Sequence, residues 1–262
     1  MERSPQVVRE LVRLGARAAD AVRDVARADA VVTMLSDDDA VRSIIFEKGL
    51  LQAAGTDMVH IVMSTLSVSF ALELEQLHAD ARIGYVAAPV MGRPDAAASG
   101  RLHVLAAGDS HAIERVRPIL DAMGQRIWLL GAAPHRANVV KLAMNFLLGS
   151  AIEALSEAAA LAEGYNIDPA TLIEVVTGTA FAAPVYVTYG QLIVDREFKP
   201  GFKSRLGLKD LRLALTAGEA RGVPLPFASI VRDNLVDAIG HGDAENDWSA
   251  LASVSRRRAG LA

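Results

Sequence analysis

Lys141 and Asn145 are the residues of this chain whose types and spacing point most directly to chemistry. They lie four positions apart in the otherwise apolar run 139–148. Residues at i and i+4 share one face of a helix, so both polar heads point at one place. Asparagine is a poor mid-helix residue and lysine is rarely buried without a partner, so the pair needs a reason, and a reaction site is one such reason. The alternative is that Lys141 extends to solvent while Asn145 bonds a backbone carbonyl.

The composition excludes several other kinds of site. The 262 residues include no cysteine, and the six histidines show no i, i+4 pair, so we expect no disulfide, no cysteine nucleophile and no metal site. The net charge of −4 without a long basic run predicts no nucleic-acid partner and no membrane binding. With 52% hydrophobic and 22% charged residues, no apolar run approaching about eighteen residues and no signal-peptide pattern, we expect a globular cytoplasmic protein.

Helix and strand patterns alternate through the first half of the chain. Strands are predicted at 30–35, 58–63, 85–88, 102–106 and 126–130, and helices at 5–14, 37–47, 68–79 and 110–123. This alternation predicts an open α/β sheet of the dinucleotide-binding type. The second half is helical, with a long helix over 134–163, a helix that starts at Asp168-Pro169, and further helices over 209–221 and 225–240. We predict an α/β Rossmann-like domain, 1–133, joined by the long helix to an all-α domain, 134–262.

Five segments in a fixed order carry a resemblance to a known family. They are 28–35, the strand end Met63-Ser64-Thr65, the turn Ala88-Pro89-Val90-Met91-Gly92-Arg93, the stretch 131–145 with Lys141-x-x-x-Asn145, and 201–210 with Phe202 and Lys209-Asp210. Together they resemble the β-hydroxyacid dehydrogenase family, which includes 3-hydroxyisobutyrate dehydrogenases and glyoxylate or succinic semialdehyde reductases. The resemblance implies an NAD(P)-dependent oxidoreductase that interconverts a small aldehyde or keto acid and its hydroxy acid.

The resemblance also implies a role for each matching residue. Lys141 would protonate the carbonyl oxygen as hydride arrives, and Asn145 would orient the substrate or the lysine. Such a donor needs a pKa lowered by desolvation, which the apolar neighbours would permit. The implied cofactor-binding residues are Arg3, Ser4, Met34, Leu35, Ser64, Thr65 and Lys209. The implied substrate-binding residues are Met91, Gly92, Arg93, Phe202 and Asp210.

Two positions depart from the family's substrate segment, which commonly reads Ala-Pro-Val-Ser-Gly-Gly. Met91 stands where the family has serine, so hydrogen bonding to the substrate from this position is lost. Arg93 stands in place of the second glycine. A guanidinium suits a carboxylate bidentately, so Arg93 would either bind a substrate carboxylate or lie exposed in solvent.

The sequence does not contain the family's opening strand, glycine-rich turn and helix. Residues 1–5 resemble the stretch after the second strand, where Arg3 and Ser4 keep the types that bind the 2′-phosphate of NADP. We therefore expect NADP, with NAD as the alternative cofactor. The start falls after about thirty residues of the usual βαβ unit. We expect Met1 to be an internal methionine of a longer active protein; the alternative is a true product that cannot hold NADP in the usual way.

Two rival functions and one partner complete the expectations. An imine reductase-like enzyme would share the architecture, although imine reductases usually lack this lysine. A non-catalytic dimerisation or regulatory module is the rival from another class, which the missing glycine turn favours.

Family counterparts pair through the long helix, so we expect a homodimer. The small residues that would permit close helix packing are Ala143, Gly149, Ser150, Ala151, Ala154, Ala158, Ala159 and Ala160.

Overall fold

A computed structural model describes residues 5–261 of the chain, which form two compact units. The first unit runs to Gly92 and includes Ala96–Asn138; the second contains Arg93–Asp95 and the chain from Val139 onward. The division into domains at 133 and 134 stays a prediction. The strands are β1 Ala30–Thr33, β2 Val59–Val62, β3 Gly84–Ala87, β4 Val90–Met91, β5 Leu102–Gly108 and β6 Gly124–Leu129. The α-helices are α1 Pro5–Arg13, α2 Val22–Val25, α3 Asp38–Arg42, α4 Leu50–Ala53, α5 Val68–Ala81, α6 Pro94–Ala98, α7 Ser110–Met123, α8 His135–Gly164, α9 Pro169–Gly178, α10 Pro184–Asp195, α11 Ser204–Glu219, α12 Pro226–Gly240 and α13 Leu251–Arg258.

A mixed six-stranded sheet forms the centre of the first unit. β1, β2 and β3 are parallel neighbours, and β3 pairs antiparallel with β5. β4 follows β3 along the same edge of β5, while β6 pairs in parallel with the other edge. The Rossmann-like α/β class is therefore confirmed. The reversal between β3 and β5 was not predicted, because alternating helices and strands do not by themselves fix strand direction.

Two element boundaries differ from the sequence expectation in ways that matter for function. β1 ends at Thr33, so Met34 and Leu35 lie in the loop beyond its carboxyl end. The helix predicted at 37–47 is α-helical only over Asp38–Arg42 and continues as the π-helical turn Ser43–Glu47. Asp37 caps its start by accepting a hydrogen bond from the Ala40 amide. Hydrophobic periodicity does not distinguish these two helical forms over one turn.

A chain of buried polar side chains ties three elements of the first unit together. The Thr33 hydroxyl contacts His60 Nε2, His60 Nδ1 lies 2.8 Å from His78 Nε2, and His78 Nδ1 lies 2.6 Å from the Leu74 carbonyl oxygen. Burial lowers the pKa of His78 to about 4 and the pKa of His60 well below its ordinary value. Both rings are therefore neutral at pH 7. Because a carbonyl only accepts, His78 donates to Leu74, accepts from His60, and leaves His60 Nε2 to accept from Thr33.

This histidine pair makes folding stability sensitive to acid. Between pH 6.5 and about 4, unfolded His78 binds a proton that the folded protein excludes. Stability is therefore fullest above about pH 6.5 and falls as the pH drops, by up to about 3 kcal/mol for one such group. Chemical unfolding at pH 8 and pH 5 checks this. On going from pH 8 to pH 5, the free energy of unfolding should fall less in His78→Gln than in the wild type. The surface variant His241→Gln serves as the control, and an unchanged pH dependence in His78→Gln would contradict the assignment.

The second unit is a helical assembly around Trp248. The side chains of Leu211, Val231, Leu235 and Leu251, from α11, α12 and α13, pack in the same buried cluster as Trp248. α8, within one residue of its predicted start and end, supplies Ile152 to this cluster. The all-α class of this half is confirmed, while α10 and α13 were not predicted.

α8 is also the one helix of residues 5–261 that is long and apolar enough to cross a membrane, by length and composition alone. Half of its apolar window is buried inside the protein. Several of the small residues expected at a dimer interface share this burial, namely Gly149, Ser150, Ala159 and Ala160. A Cβ at Gly149 would lie 3.3 Å from Val231 of α12, so this glycine serves packing within the chain.

Candidate active site

Lys141, Asn145 and Asp210 form a hydrogen-bonded series in the second unit. Lys141 Nζ donates to Asn145 Oδ1 at 3.2 Å, across one turn of α8. Asn145 Nδ2 in turn donates to Asp210 Oδ2, on α11, at 2.5 Å. All three residues are buried, and Lys141 is only 8% exposed. Lys141 therefore does not extend to solvent, as the alternative interpretation expected. Lys141 and Asn145 pair at i, i+4 on one helix face, as their spacing predicted.

Burial sets the acidity of Lys141. The pKa of the ammonium group is lowered from 10.5 to about 8, chiefly by burial; the Asp210 carboxylate opposes this shift and Lys209 nearby adds to it. Lysine at this pKa is still largely protonated at pH 7 and gives up its proton more readily than an ordinary lysine. The expected lowering by desolvation is thus present, and the carboxylate keeps the charged form accessible.

Lys209 and Asp210 lie at neighbouring positions of α11 but point to different surroundings. Asp210 is 2% exposed, whereas the Lys209 side chain is 24% exposed and places Nζ 3.1 Å from Asp210 Oδ1. That contact is an ion pair without the angles of a hydrogen bond. The structure therefore gives Asp210 a defined contact with Asn145, and its binding of substrate, like cofactor binding by Lys209, stays a prediction.

Arg93 and Phe202 meet at a second buried carboxylate, Asp247. Asp247 Oδ2 accepts from the Phe202 amide at 2.8 Å and from the Gly201 amide at 3.1 Å. Arg93 Nη1 lies 3.3 Å from the same oxygen. The ring of Phe202 packs edge-on against Trp248, with 4.9 Å between ring centroids. Arg93 is therefore ion-paired and partly buried. It is not exposed in open solvent, and its binding of a substrate carboxylate stays a prediction.

Asp247 contacts two of the predicted site residues, Arg93 and Phe202, and was not itself predicted from the sequence. It is an isolated acidic residue, and its partners come from segments far away in the chain, so no local spacing reveals it. The only local signal is its capping geometry, in which Oδ1 accepts from the Ser249 amide and hydroxyl.

The predicted cofactor residues of the first unit gather at the carboxyl ends of β1 and β2. The Leu35 amide donates to Ser64 Oγ at 2.7 Å, which joins the two loops. Ser64 is fully buried, Thr65 and Leu35 are half-buried, and Met34 is 61% exposed. The Ser64 hydroxyl therefore joins the loop after β1 to the loop after β2. Its contact with a cofactor stays a prediction. Arg3 and Ser4 lie outside the described residues.

A groove of about 1440 Å³ runs along β1 within the first unit and reaches the loop beyond its carboxyl end. Its lining includes Val32, Thr33, Met34, Leu35, Ser36 and Lys48. Dinucleotides bind outside the carboxyl ends of parallel strands in sheets of this type, so the groove and its mixed polar and apolar lining fit such a cofactor.

Gly92 and Met91 occupy the turn at the end of β4. Gly92 has φ +144°, and a Cβ there would lie 2.7 Å from Leu102 Cδ2, so only glycine fits. Met91 pairs with His103 of β5 and is half-buried. The structure describes no group of three or more histidine or acidic side chains that could hold a metal ion among residues 5–261.

The sequence matches two protein families, one after the other. Residues 1–131 match the NAD binding domain of 6-phosphogluconate dehydrogenase. Residues 136–255 match the NAD-binding domain of NADP-dependent 3-hydroxyisobutyrate dehydrogenase.

Similar proteins cover almost the whole chain. An uncharacterised oxidoreductase, YfjR of Bacillus subtilis (strain 168), is 41% identical over 95% of this chain and 88% of its own length. The 3-sulfolactaldehyde reductase of Escherichia coli (strain K12) is 34% identical over 98% of this chain and 87% of its own length. The crystal structure of a 3-hydroxyisobutyrate dehydrogenase from Salmonella typhimurium superimposes with a TM-score of 0.87 and 29% identity, over 97% of this chain and 89% of that one. The chain belongs to the β-hydroxyacid dehydrogenase family of NAD(P)-dependent oxidoreductases.

Proposed function

We propose that this protein is an NADP-preferring reductase that converts a small aldehyde or keto acid to its hydroxy acid, with Lys141 as the proton donor. The observation that carries the proposal is the buried series from Lys141 through Asn145 to Asp210. A family member needs a proton donor where the alkoxide forms, and Lys141 is a buried ammonium whose pKa lies close to neutral.

Each member of the series has a separate task in this mechanism. Lys141 Nζ holds the proton and donates it to the carbonyl oxygen as negative charge develops there, which also stabilises that charge. Asn145 Oδ1 accepts from Lys141 and fixes the direction of the ammonium group. Asp210 accepts from Asn145 Nδ2 and so orients the amide, with its oxygen toward the lysine. The reduced nicotinamide, when bound, supplies the hydride that completes the alcohol.

NADP preference rests on less of the chain than the reaction type does. Arg3 and Ser4 keep the residue types that suit a 2′-phosphate. Met34 and Leu35 line the groove at the end of β1, where the cofactor would pass beyond its adenosine side. Thr65 follows the end of β2, where the nicotinamide side would lie. The cytoplasm remains the proposed compartment.

Arg93 makes an anionic substrate the best match. Its side chain is 30% exposed, so it is not fully enclosed beside Asp247. A planar guanidinium recognises carboxylates and similar anions through parallel hydrogen bonds. We therefore propose a substrate that carries an acidic group as well as the reacting carbonyl.

A homodimer is the proposed assembly, through the exposed face of α8. The small residues buried in the chain cannot serve it, but an apolar row remains exposed on this helix: Ala143, Met144, Leu147, Ala154 and Leu161. These positions recur at helical spacing, so a second copy of the same face would cover them. Sedimentation of the intact protein tests this, and a monomer unaffected by Leu147→Glu would contradict it.

NADPH consumption with a panel of small carbonyl compounds tests the function. We expect absorbance at the NADPH band to fall with glyoxylate or succinic semialdehyde, more slowly with NADH, and not with a cyclic imine. Tryptophan fluorescence titration with NADPH runs in parallel, because binding without turnover would separate a wrong substrate from a wrong function. Absence of both binding and turnover, in this chain and in a version extended upstream in the gene by about thirty codons, would favour the non-catalytic module.

A further inference from the structure

Asp247 is the most completely satisfied buried charge of the second unit. It has no exposed surface, and it lies outside the series that runs from Lys141 to Asp210. Oδ1 accepts from the Ser249 amide at 3.1 Å and from its hydroxyl at 2.9 Å. Oδ2 accepts from the amides of Gly201 and Phe202, and from Arg93. A buried carboxylate with this many donors is stable only if every donor stays in place, so it fixes their positions relative to one another.

Arg93 and Gly201 fit each other through the same contact. A Cβ at residue 201 would overlap the Arg93 guanidinium, so a glycine there is a condition for the observed arginine position. The Gly201 amide also donates to Asp247. The arginine is thus held on one side by the carboxylate and on the other by the backbone of the segment that carries Phe202.

We propose that Asp247 is a positioning residue that gives this protein its specificity for anionic substrates, by holding Arg93 and Phe202 in one arrangement. The inference rests on the proposed function, since it names how that substrate class is selected. α11 begins at Ser204, directly after this segment, and carries Asp210 six residues later, about 9 Å along the helix axis. The start of α11 has its own anchor, since the Ser204 amide donates to the Asn246 carbonyl oxygen at 2.8 Å, so we expect Asp210 to keep its position when the Asp247 carboxylate is removed.

Charge alone predicts the opposite of this proposal. Asp247 neutralises part of the Arg93 charge, so its removal would strengthen attraction for an anion if electrostatics decided. If position decides, its removal frees the arginine and the Phe202 loop, and anion binding weakens. The two accounts differ in the sign of one measured change.

Asp247→Asn decides between them. We measure kcat and KM for succinic semialdehyde and for uncharged butanal, and in the same samples the Kd of succinate as a non-reacting probe. We expect KM and Kd for the anions to rise about tenfold or more, and kcat to change little. The butanal KM should rise by much less, because butanal can lose only what Phe202 contributes and nothing from Arg93. Arg93→Ala should show the same loss, and the double variant should lose little more than either single one.

Gly201→Ala provides a second route if Asp247→Asn folds poorly. It displaces Arg93 and leaves the carboxylate, and it should raise the succinate Kd similarly. Glu245→Gln is the matched control, because Glu245 is exposed and pairs with Lys203 and Arg205 next to the same segment. An unchanged or lower anion KM in Asp247→Asn, or fully additive losses in the double variant, would overturn the proposal. Succinate binding that depends on Asp247 in a protein without NADPH turnover would support the positioning role and refute the proposed function.

Discussion

Replacing Lys141 by methionine is expected to reduce kcat/KM for the carbonyl substrate by between about a hundredfold and ten-thousandfold, the range of general acid catalysis. Methionine keeps most of the volume of the side chain in its buried position and removes the transferable proton. It also removes the positive charge beside the developing alkoxide, which places the loss toward the upper end of that range.

The binding of NADPH should survive this substitution, because Lys141 lies on α8 and its ammonium group donates to Asn145. Fluorescence titration therefore accompanies the steady-state assay. Lys199→Met is the control, since Lys199 is exposed and forms its ion pair with Glu197 on the surface. A Lys141→Met protein within about threefold of wild-type kcat/KM would show that another group supplies the proton.

Replacing Trp248 by alanine is expected to lower the free energy of unfolding by about 3–5 kcal/mol, as large aromatic truncations do in cores. Trp248 is 1% exposed and packs against Tyr189 and Phe202, with ring centroids 6.2 Å and 4.9 Å away. Its indole Nε1 donates to the Tyr189 hydroxyl at 3.0 Å. A Cβ at Gly207 would lie 2.8 Å from Trp248 Cε3, so the indole fills its site closely.

Urea unfolding followed by circular dichroism measures the effect without depending on either tryptophan. Trp128→Ala is the matched control, because Trp128 is 39% exposed on β6 and should cost far less. The Trp248→Ala variant should also lose substrate affinity, since the Phe202 ring loses the surface against which it packs. Equal stability losses in the two variants would contradict the placement of the core around Trp248.

The sequence predicted the elements whose signals are local. α7 has the expected bounds, Ser110–Met123, because Asp109 caps its first turn and accepts from the Ala112 amide. α8 agrees within one residue at each end for a different reason. Its apolar pattern is long, contains no proline, and continues past the internal Gly149.

The parts that the sequence did not predict depend on distant contacts. The direction of β5 against β3 is decided by how the chain returns to the sheet, which the apolar strand patterns do not encode. Arg93 illustrates the same limit within the site. From the sequence, a substrate-binding Arg93 and a solvent-exposed Arg93 were equally supported. Only the structure shows Asp247 beside it, 154 residues further along the chain.

For the candidate site, the spacing of Lys141 and Asn145 was informative because it concerns one helix. Their hydrogen bond follows from their spacing on that helix. Their burial follows from the packing of the helix against α11, where Asn145 meets Asp210. The role of Asp210 as the acceptor of Asn145 did not follow, since the two residues are 65 positions apart.

The pH dependence of kcat/KM for carbonyl reduction, in the wild type and in Lys141→Met, tests the central claim most directly. The pKa of Lys141 is about 8, so the protonated donor is lost as the pH rises through that value, and the wild-type rate should fall tenfold per unit above it. The reverse oxidation needs the neutral amine, so its rate should rise toward the same pH. Lys141→Met should be slower at every pH and should not show this fall near pH 8. A wild-type profile that stays flat through pH 8, or a variant that keeps the same fall, would contradict Lys141 as the proton donor.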